Sequence, residues 1–319
     1  MNHGLVIAVL MSGILFGTPL LLAGLGELLA ERSGVLNLGV EGMMLIGAVC
    51  GFWISQRMGT DSAVALVAAV VVAGAAGGLM ALIHAFVSIT LRANQIVSGL
   101  ALTIFGGAVG LSSYFGSVGH LTGSAGHHKL ASLNVLGLAH LPLVGPLLFG
   151  QNALVYLSWL LVIVLSFYLF RTKTGLHLRA VGESPRAADA MGLDVVRCRY
   201  LHTIAGGVLA GVAGGSYSLL ISPSWNDGMT AGAGWIAIAL VIFGFWNPKL
   251  VMIGAYLFGT VAGLGFTLQA RGTSLPPEFF SSLPYLLTIV TLVLVSSVWS
   301  RRRLGAPAAL GVPYRREEG

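Results

Sequence analysis

Long apolar stretches follow one another along the chain and are separated by short polar segments. A helix needs about 20 apolar residues to cross the ~30 Å hydrocarbon core of a bilayer. The pattern predicts nine such helices, near residues 5–26, 33–54, 63–91, 93–115, 152–170, 200–221, 230–246, 250–268 and 283–300. The sequence therefore predicts an all-α integral membrane protein, with eight to ten transmembrane helices in a single domain over residues 1–319.

The composition supports this class. Hydrophobic residues make up 56% of the 319 residues and charged residues only 9%, whereas soluble domains carry about 25% charged residues. Lysine and arginine outnumber aspartate and glutamate by 17 to 11. In a membrane protein such an excess belongs to the loops on one side of the bilayer. We therefore expect the lipid bilayer, and no nucleic acid, as the surroundings of this chain.

The distribution of positive charge predicts the orientation. If nine helices cross the membrane and the loop at 171–200 lies inside, then 14 lysines and arginines lie in the inner segments and only 3 in the outer segments. Inner loops are the basic ones in membrane proteins. The N-terminus is therefore predicted outside, and the basic tail at 301–319 is predicted in the cytosol.

Sequence signatures of catalysis are absent. No lysine follows a glycine, which excludes the GxxxxGK[ST] phosphate-binding loop, and neither HExxH nor GxSxG occurs. Four histidines of the predicted outer loop, His120, His127, His128 and His140, match no standard zinc spacing. We predict that this chain has no catalytic residue, no metal and no cofactor of its own, and that any ATP is bound by another subunit.

Glu41 is the most informative ionisable residue, because it lies inside the second apolar stretch. Carboxylates at membrane depth are costly and normally face protein or a water-filled path. The segment ERSGVLNLGVEGMMLIGA (31–48) contains glycines and Asn37, which would allow a broken second helix. Two interpretations stay open. Glu41 either stabilises the broken helix by accepting hydrogen bonds or lines a solute path.

Aromatic residues near 231–249 suggest a second contact with solute. Trp235, Phe245 and Trp246 have faces that can stack on a planar ring. Tryptophan is also common at membrane interfaces, and Trp246 beside Lys249 fits that role. Trp235 remains a candidate for the solute path.

The loop at 171–200 contains signals for a short helix between the fifth and sixth spans. Ser184 is a good N-cap, Pro185 fits the first turn and Gly192 fits the C-terminal stop, so residues 185–191 are predicted helical. The loop is either a solvated connector or a docking helix whose small residues insert into a cytosolic partner.

Five segments together resemble one family. They are the segment at 31–48 given above, LRANQIVSGLALTIFGG (91–107), LPLVGPLLFGQNALVYL (141–157), GLHLRAVGESPRAADAMGLDV (175–195) and GWIAIALVIFGFWNP (234–248). All five resemble the permeases of ABC importers for branched-chain amino acids, ribose-like sugars and nucleosides, and most closely the nucleoside branch. The resemblance covers most of the chain.

The resemblance implies partners and site residues. Such permeases work with an ABC ATPase, a second related permease and an extracytoplasmic solute-binding protein in the bacterial inner membrane. It implies a coupling helix for the ATPase, formed by Ser184, Pro185, Arg186, Ala188, Asp189, Met191 and Gly192. By motif position it also places Asn37, Glu41, Asn94 and Gln95 on the solute path.

Other functions are weighed against this one. The expected cargo is a nucleoside, with a pentose-type sugar or a branched-chain amino acid as alternatives. An ion-coupled secondary transporter should show matched broken helices and ion ligands in both halves, but Glu41 has no acidic counterpart in the later spans. A membrane enzyme should offer a nucleophile and a base, and the sequence shows no such pair.

Overall fold

The computed structural model describes residues 3–58, 63–121, 131–142, 144–270, 272–299 and 305–316. In these ranges the chain is helical, with a single β-bridge between Ser132 and Asn152 and no strand. The α-helices are α1 (His3–Arg32), α2 (Val40–Met58), α3 (Ala63–Ala85), α4 (Gln95–Gly106), α5 (Leu111–Val118), α6 (Ala153–Arg171), α7 (Lys173–Glu183), α8 (Pro185–Ala190), α9 (Val195–Ser216), α10 (Ala233–Phe243), α11 (Pro248–Gln269) and α12 (Pro277–Trp299). The predicted all-helical architecture is confirmed. Histidines 127 and 128 lie outside the described residues.

Within the described ranges, six helical segments are long and apolar enough to cross a membrane: Gly4–Arg32, Ala63–Thr90, Gln95–Val118, Ala153–Arg171, Val195–Ile221 and Pro248–Gln269. The chain is therefore a multi-pass membrane protein. The other three predicted stretches coincide with α2, α10 and α12. Because α10 has only 11 residues, it is too short to cross a bilayer as a regular helix. The predicted count of nine spans is not confirmed.

The predicted break in the second apolar stretch falls at its beginning. Residues 33–39 are not helical, and Gly34 has a φ of +87°, a left-handed value that favours glycine. From Val40 onward α2 runs without interruption to Met58. Glu41 therefore lies in the first turn of α2 rather than in the middle of a helix.

Helix α1 lies at the centre of the bundle, where it packs against α9, α10 and α11, and α2 and α3 pack on the other side of α9. Glycines permit these contacts. A Cβ at Gly47 would overlap the backbone of Gly211, and one at Gly259 would overlap the backbone of Gly17. Small residues let backbones approach closely where lipid provides no hydrophobic driving force. These glycines therefore permit close contact between α2 and α9 and between α1 and α11.

One end of the bundle gathers segments that are far apart in sequence. The segment at 33–39, helices α7 and α8, the start of α9 and the tail at 305–316 contact one another there. The charge pattern predicted a common side for the loop at 171–200 and the tail at 301–319, and the proximity of these two segments agrees with that grouping.

Candidate solute path and docking surface

Glu41 bridges α2 and α10. Its Oε1 accepts hydrogen bonds from the hydroxyl of Thr230 at 2.6 Å and from the amide of Gly232 at 2.9 Å, and its Oε2 accepts from the amide of Gly234 at 2.6 Å. The N-cap of α10 is Gly232, which has no side chain to cap the helix. A carboxylate is favoured at a helix N-terminus because unpaired amides point toward it. Glu41 thus caps α10 from another helix.

This geometry bears on the two interpretations of Glu41. The carboxylate is 8% exposed and accepts three hydrogen bonds from one segment. Hydrogen bonds to a carboxylate are stronger than those between neutral groups. The contacts support the structural interpretation, although the partner is the first turn of α10 and not the break that precedes α2.

The other polar residues predicted on the path also make structural contacts. Asn94 caps α4 by accepting hydrogen bonds from the amides of Ile96 and Val97. The Gln95 side chain is buried, and its Oε1 accepts from the amide of Leu36 at 2.7 Å. Asn37 accepts from the amide of Gly39 at 3.0 Å. Of these three side chains, Gln95 joins the segment at 33–39 to α4, while Asn94 and Asn37 bond amides close to them in sequence. Their predicted role on the path stays a prediction.

A cavity of about 550 Å³ lies between α1, the end of α9, α10, α11 and α12. Its aromatic lining is Phe16, Tyr217, Phe258, Phe266, Phe280 and Tyr285, and its polar lining is Ser222, Asn226, Thr230, Gln269 and Ser281. Among the described residues that line it, none carries a charge. The volume is typical of small-molecule sites, and so is an apolar wall with a few polar groups.

The residues predicted to lie on the solute path do not line this cavity. Asn37, Glu41, Asn94, Gln95 and Trp235 are absent from its described lining. Glu41 approaches the cavity through Thr230, which lines it and donates to the carboxylate. Trp235 is 39% exposed on the outside of α10. Sequence reasoning missed the aromatic lining because its members come from four separate helical segments: α1, residues 217–221, α11 and α12.

Trp246 is buried and is not an interfacial residue, which corrects the sequence interpretation. It is 3% exposed, and its indole Nε1 donates to Glu31 Oε2. Its carbonyl accepts from Arg32 Nη2 at 2.8 Å. Phe245 and Trp246 both have a positive φ, near 50°, which bulky residues rarely adopt. The end of α1 thus holds the end of α10 in a tight turn.

A buried carboxylate beside this turn was also missed by sequence reasoning. Glu27 is 1% exposed, and its Oε1 accepts from the amide of Asn37 at 3.2 Å. Glu27 and Glu31 are four residues apart and share one face of α1. Both acidic residues lie just after the first predicted apolar stretch in the sequence, where exposure is expected, and only tertiary packing shows that both are buried.

The predicted short helix in the loop at 171–200 is present as α8. The Ser184 hydroxyl caps it by accepting from the amide of Ala187 at 3.4 Å, Pro185 is its first residue, and Gly192 has a φ of +81°. Ala188 faces inward, 4% exposed, and packs with Val181 and Val195. Its coupling role stays a prediction.

The surface of α8 divides into two sides. Arg186, Ala187 and Ala190 are exposed, and Met191 is 83% exposed. A fully exposed methionine beside small residues suits insertion into a partner, because methionine adapts its shape to irregular surfaces. Asp189 pairs with Arg316 of the tail at 3.2 Å.

Comparison of the sequence with known proteins identifies the family of this chain. Residues 9–292 match the permease component of branched-chain amino acid transport systems. The chain is 42% identical to a putative glucose ABC transporter permease of Haloferax volcanii, over 94% of this chain and 95% of the relative. It is 35% identical to a guanosine ABC transporter permease of Bacillus subtilis and 33% identical to a nucleoside ABC transporter permease of Lactococcus lactis, each over 94% of both chains.

These matches agree with the all-helical bundle and with its membrane-spanning helices. Each spans nearly the whole chain and nearly the whole relative. The chain therefore belongs to the family of permease components of branched-chain amino acid transport systems, and it is the permease component of an ABC transporter.

Proposed function

We propose that this permease carries nucleosides into a bacterial cell through the inner membrane, with its N-terminus outside and its C-terminus in the cytosol. The observation that carries the choice of cargo is the uncharged, aromatic cavity between α1, α10, α11 and α12. Aromatic faces stack on planar rings, and hydroxyl and amide groups such as those of Ser222, Asn226 and Gln269 can bind ribose hydroxyls and base edges.

The absence of charge in the described lining discriminates between cargo classes. A branched-chain amino acid carries an ammonium and a carboxylate, and burying these without partners is costly. A nucleoside has neither charge. Relatives named for guanosine and for nucleosides support the same choice. A sugar is the second candidate, because a relative at 42% identity is named as a putative glucose permease.

The partners follow from the ABC class. We propose that an ABC ATPase binds at the exposed side of α8, that a second permease completes the membrane unit, and that an extracytoplasmic binding protein delivers the solute. ATP hydrolysis then belongs to the ATPase, and this chain contributes no catalytic residue and no cofactor.

Uptake measurements test the cargo. Cells that lack this permease should lose uptake of labelled guanosine and uridine, while uptake of labelled glucose and leucine should be unchanged. Loss of glucose uptake alone would reject the nucleoside and leave the sugar.

A pair of variants on one helix tests the cavity. Ala262→Trp on α11 should abolish uptake because the added ring fills the cavity that Ala262 lines. Leu257→Trp on the same helix is the control, since Leu257 is 52% exposed and is absent from the described lining. Both variants are compared at equal amounts of folded protein in the membrane. Uptake by Ala262→Trp equal to that of the control would remove the cavity from the solute path.

A further inference from the structure

The end of the chain lies folded against the docking end of the bundle. The carbonyl of Gly305 accepts from Arg32 Nη1 at 3.2 Å, and the amide of Ala309 donates to the carbonyl of Gly182 at 3.0 Å. Further along, the amide of Gly311 donates to the carbonyl of Gly34 at 3.2 Å. Residues 305–316, here called the strap, are therefore anchored through their own backbone.

Burial of the strap is consistent with a specific fit. Pro307 and Ala309 are buried, and Tyr314 packs against the cluster of Val181, Ala188 and Val195 beneath α8. A Cβ at Gly182 would overlap the carbonyl of Arg32, so α7 and the end of α1 are in direct contact beside the strap. A merely solvated basic tail would show neither buried residues nor backbone hydrogen bonds to the bundle.

The strap contacts two separate regions, the docking helix α8 and the loop between α1 and α2. At one end Arg316 pairs with Asp189 of α8 at 3.2 Å. At Val312 its carbonyl accepts from Arg199 Nη1 at 3.1 Å, while Arg199 Nε donates to the carbonyl of Ser33 at 3.2 Å. Arg199 is 1% exposed, so this link is internal. The strap therefore contacts both α8 and, through Arg199, the loop between α1 and α2.

We propose that the strap is a coupling element: it ties the docking helix α8 to the loop that joins α1 and α2. This inference rests on the proposed docking of the ATPase at α8. The loop at 33–39 leads directly into α2, whose first turn carries Glu41, the cap of α10. Movement of α8 by the ATPase is thereby passed to α2 and to α10, two elements that border or support the cavity.

The ion pair between Asp189 and Arg316 gives a selective test. The Arg316 side chain is 77% exposed, and exposed ion pairs contribute little to stability. Reversing one charge should therefore disturb coupling while the permease stays folded. In a reconstituted transporter, Arg316→Asp should lower solute transported per ATP hydrolysed by at least about fivefold, the lower end of typical coupling between sites.

The compensating variant and the control follow from the same contact. The double variant Asp189→Arg with Arg316→Asp restores the pair in reverse and should recover most of the coupling. Arg315→Asp is the matched control, because Arg315 is exposed and makes no hydrogen bond or ion pair within the described residues. Because Asp189 lies on the docking helix, binding of the ATPase by the double variant is measured as well. Equal coupling in Arg316→Asp and Arg315→Asp, or no recovery in a double variant that binds the ATPase normally, would overturn the inference.

Removal of residues 306–319 tests the whole strap. The shortened permease should still bind the ATPase through the exposed side of α8, yet it should hydrolyse ATP with little transport. Normal transport by the shortened chain would exclude a coupling role. If the ATPase binds neither the shortened nor the full-length permease, the proposed docking itself fails, and that outcome is separate from the result of the charge reversal.

Discussion

At the scale of single residues, Glu41 connects the first turn of α2 to the start of α10. Its two oxygens accept three hydrogen bonds, from Thr230, Gly232 and Gly234. The partners lie about 190 positions later in the chain, the hydroxyl of Thr230 being 189 away. The sequence could indicate that Glu41 needs partners, because a carboxylate in an apolar stretch is costly. It could not name them, since the contact depends on how α2 packs against α10.

Glu41→Gln should lower the stability of the permease. The amide keeps one acceptor but places an NH₂ group where a backbone amide or the Thr230 hydroxyl now donates. A hydrogen bond to a charged group is worth about 1.5–3 kcal/mol, and an unpaired buried donor adds a further penalty. Thermal unfolding in detergent should occur at lower temperature, and less folded protein should reach the membrane.

A matched control separates this effect from the loss of charge alone. Glu278→Gln makes the same chemical change at an exposed position in the first turn of α12. It should lower the unfolding temperature much less, because an exposed carboxylate at a helix N-terminus contributes only about 0.3–1 kcal/mol. If Glu41→Gln is as stable as the control but transports less per folded molecule, Glu41 belongs to the solute path after all.

At the scale of elements, the sequence predicted features that depend on neighbouring residues, but it could not predict features that depend on tertiary packing. The bounds of α8 were predictable because they depend on residues within one or two turns: Ser184 and Pro185 at the start, and Gly192 after the end. The two sides of α8 were not predictable. Ala188 is buried under Val181 and Val195, while Ala187 is exposed. Two alanines of the same short helix therefore differ only through the packing of the loop.

The two alanines should respond differently to the same substitution. Ala187→Glu adds a bulky charge to the exposed side and should weaken binding of the ATPase while the permease remains folded. Ala188→Glu buries an unpaired carboxylate, which is strongly destabilising, and should reduce the amount of permease itself. Membrane levels and co-purification of the ATPase, measured for both variants, check this.

The opposite pattern would contradict the assignment of the docking side. If Ala188→Glu is well folded but fails to bind the ATPase, then the loop must rearrange on docking. If Ala187→Glu binds and transports normally, the exposed side of α8 is a connector and the ATPase docks elsewhere.

At the scale of the whole molecule, the apolar pattern predicted the class and most of the helices. Six segments are confirmed as long and apolar enough to span a bilayer. The glycines and Asn37 of the second stretch indicated a break there, but the pattern could not show that α10 has only 11 residues between two turns. The length of α10 depends on contacts from elsewhere: Glu41 at its start, and Glu31 and Arg32 at its end.

The arrangement in the membrane can be tested by labelling cysteines in the full-length chain. A background without Cys50 and Cys198 removes the native thiols. With nine crossings, cysteines at position 60 and at Ser274 lie outside and should react with a membrane-impermeant thiol reagent in intact cells. Cysteines at Arg186 and Arg315 lie inside and should react only after the membrane has been permeabilised. The charge distribution of 14 against 3 is the physical basis of this expectation.

A further cysteine at Gly4, an exposed residue near the start of α1, tests α2, which is absent from the six confirmed segments. Three of those segments separate position 60 from Arg186, so these two positions lie on opposite sides whether or not α2 crosses, and only the side of the N-terminus depends on α2. If α2 does not cross, the cysteine at Gly4 lies inside and should be protected in intact cells. The cysteine at Ser274 tests α10, since it follows α11 and a non-crossing α10 would place it inside. Labelling at Gly4 and Ser274 in intact cells, with protection of Arg186→Cys and Arg315→Cys, requires α2 and α10 together to complete their crossings despite the non-helical residues beside them.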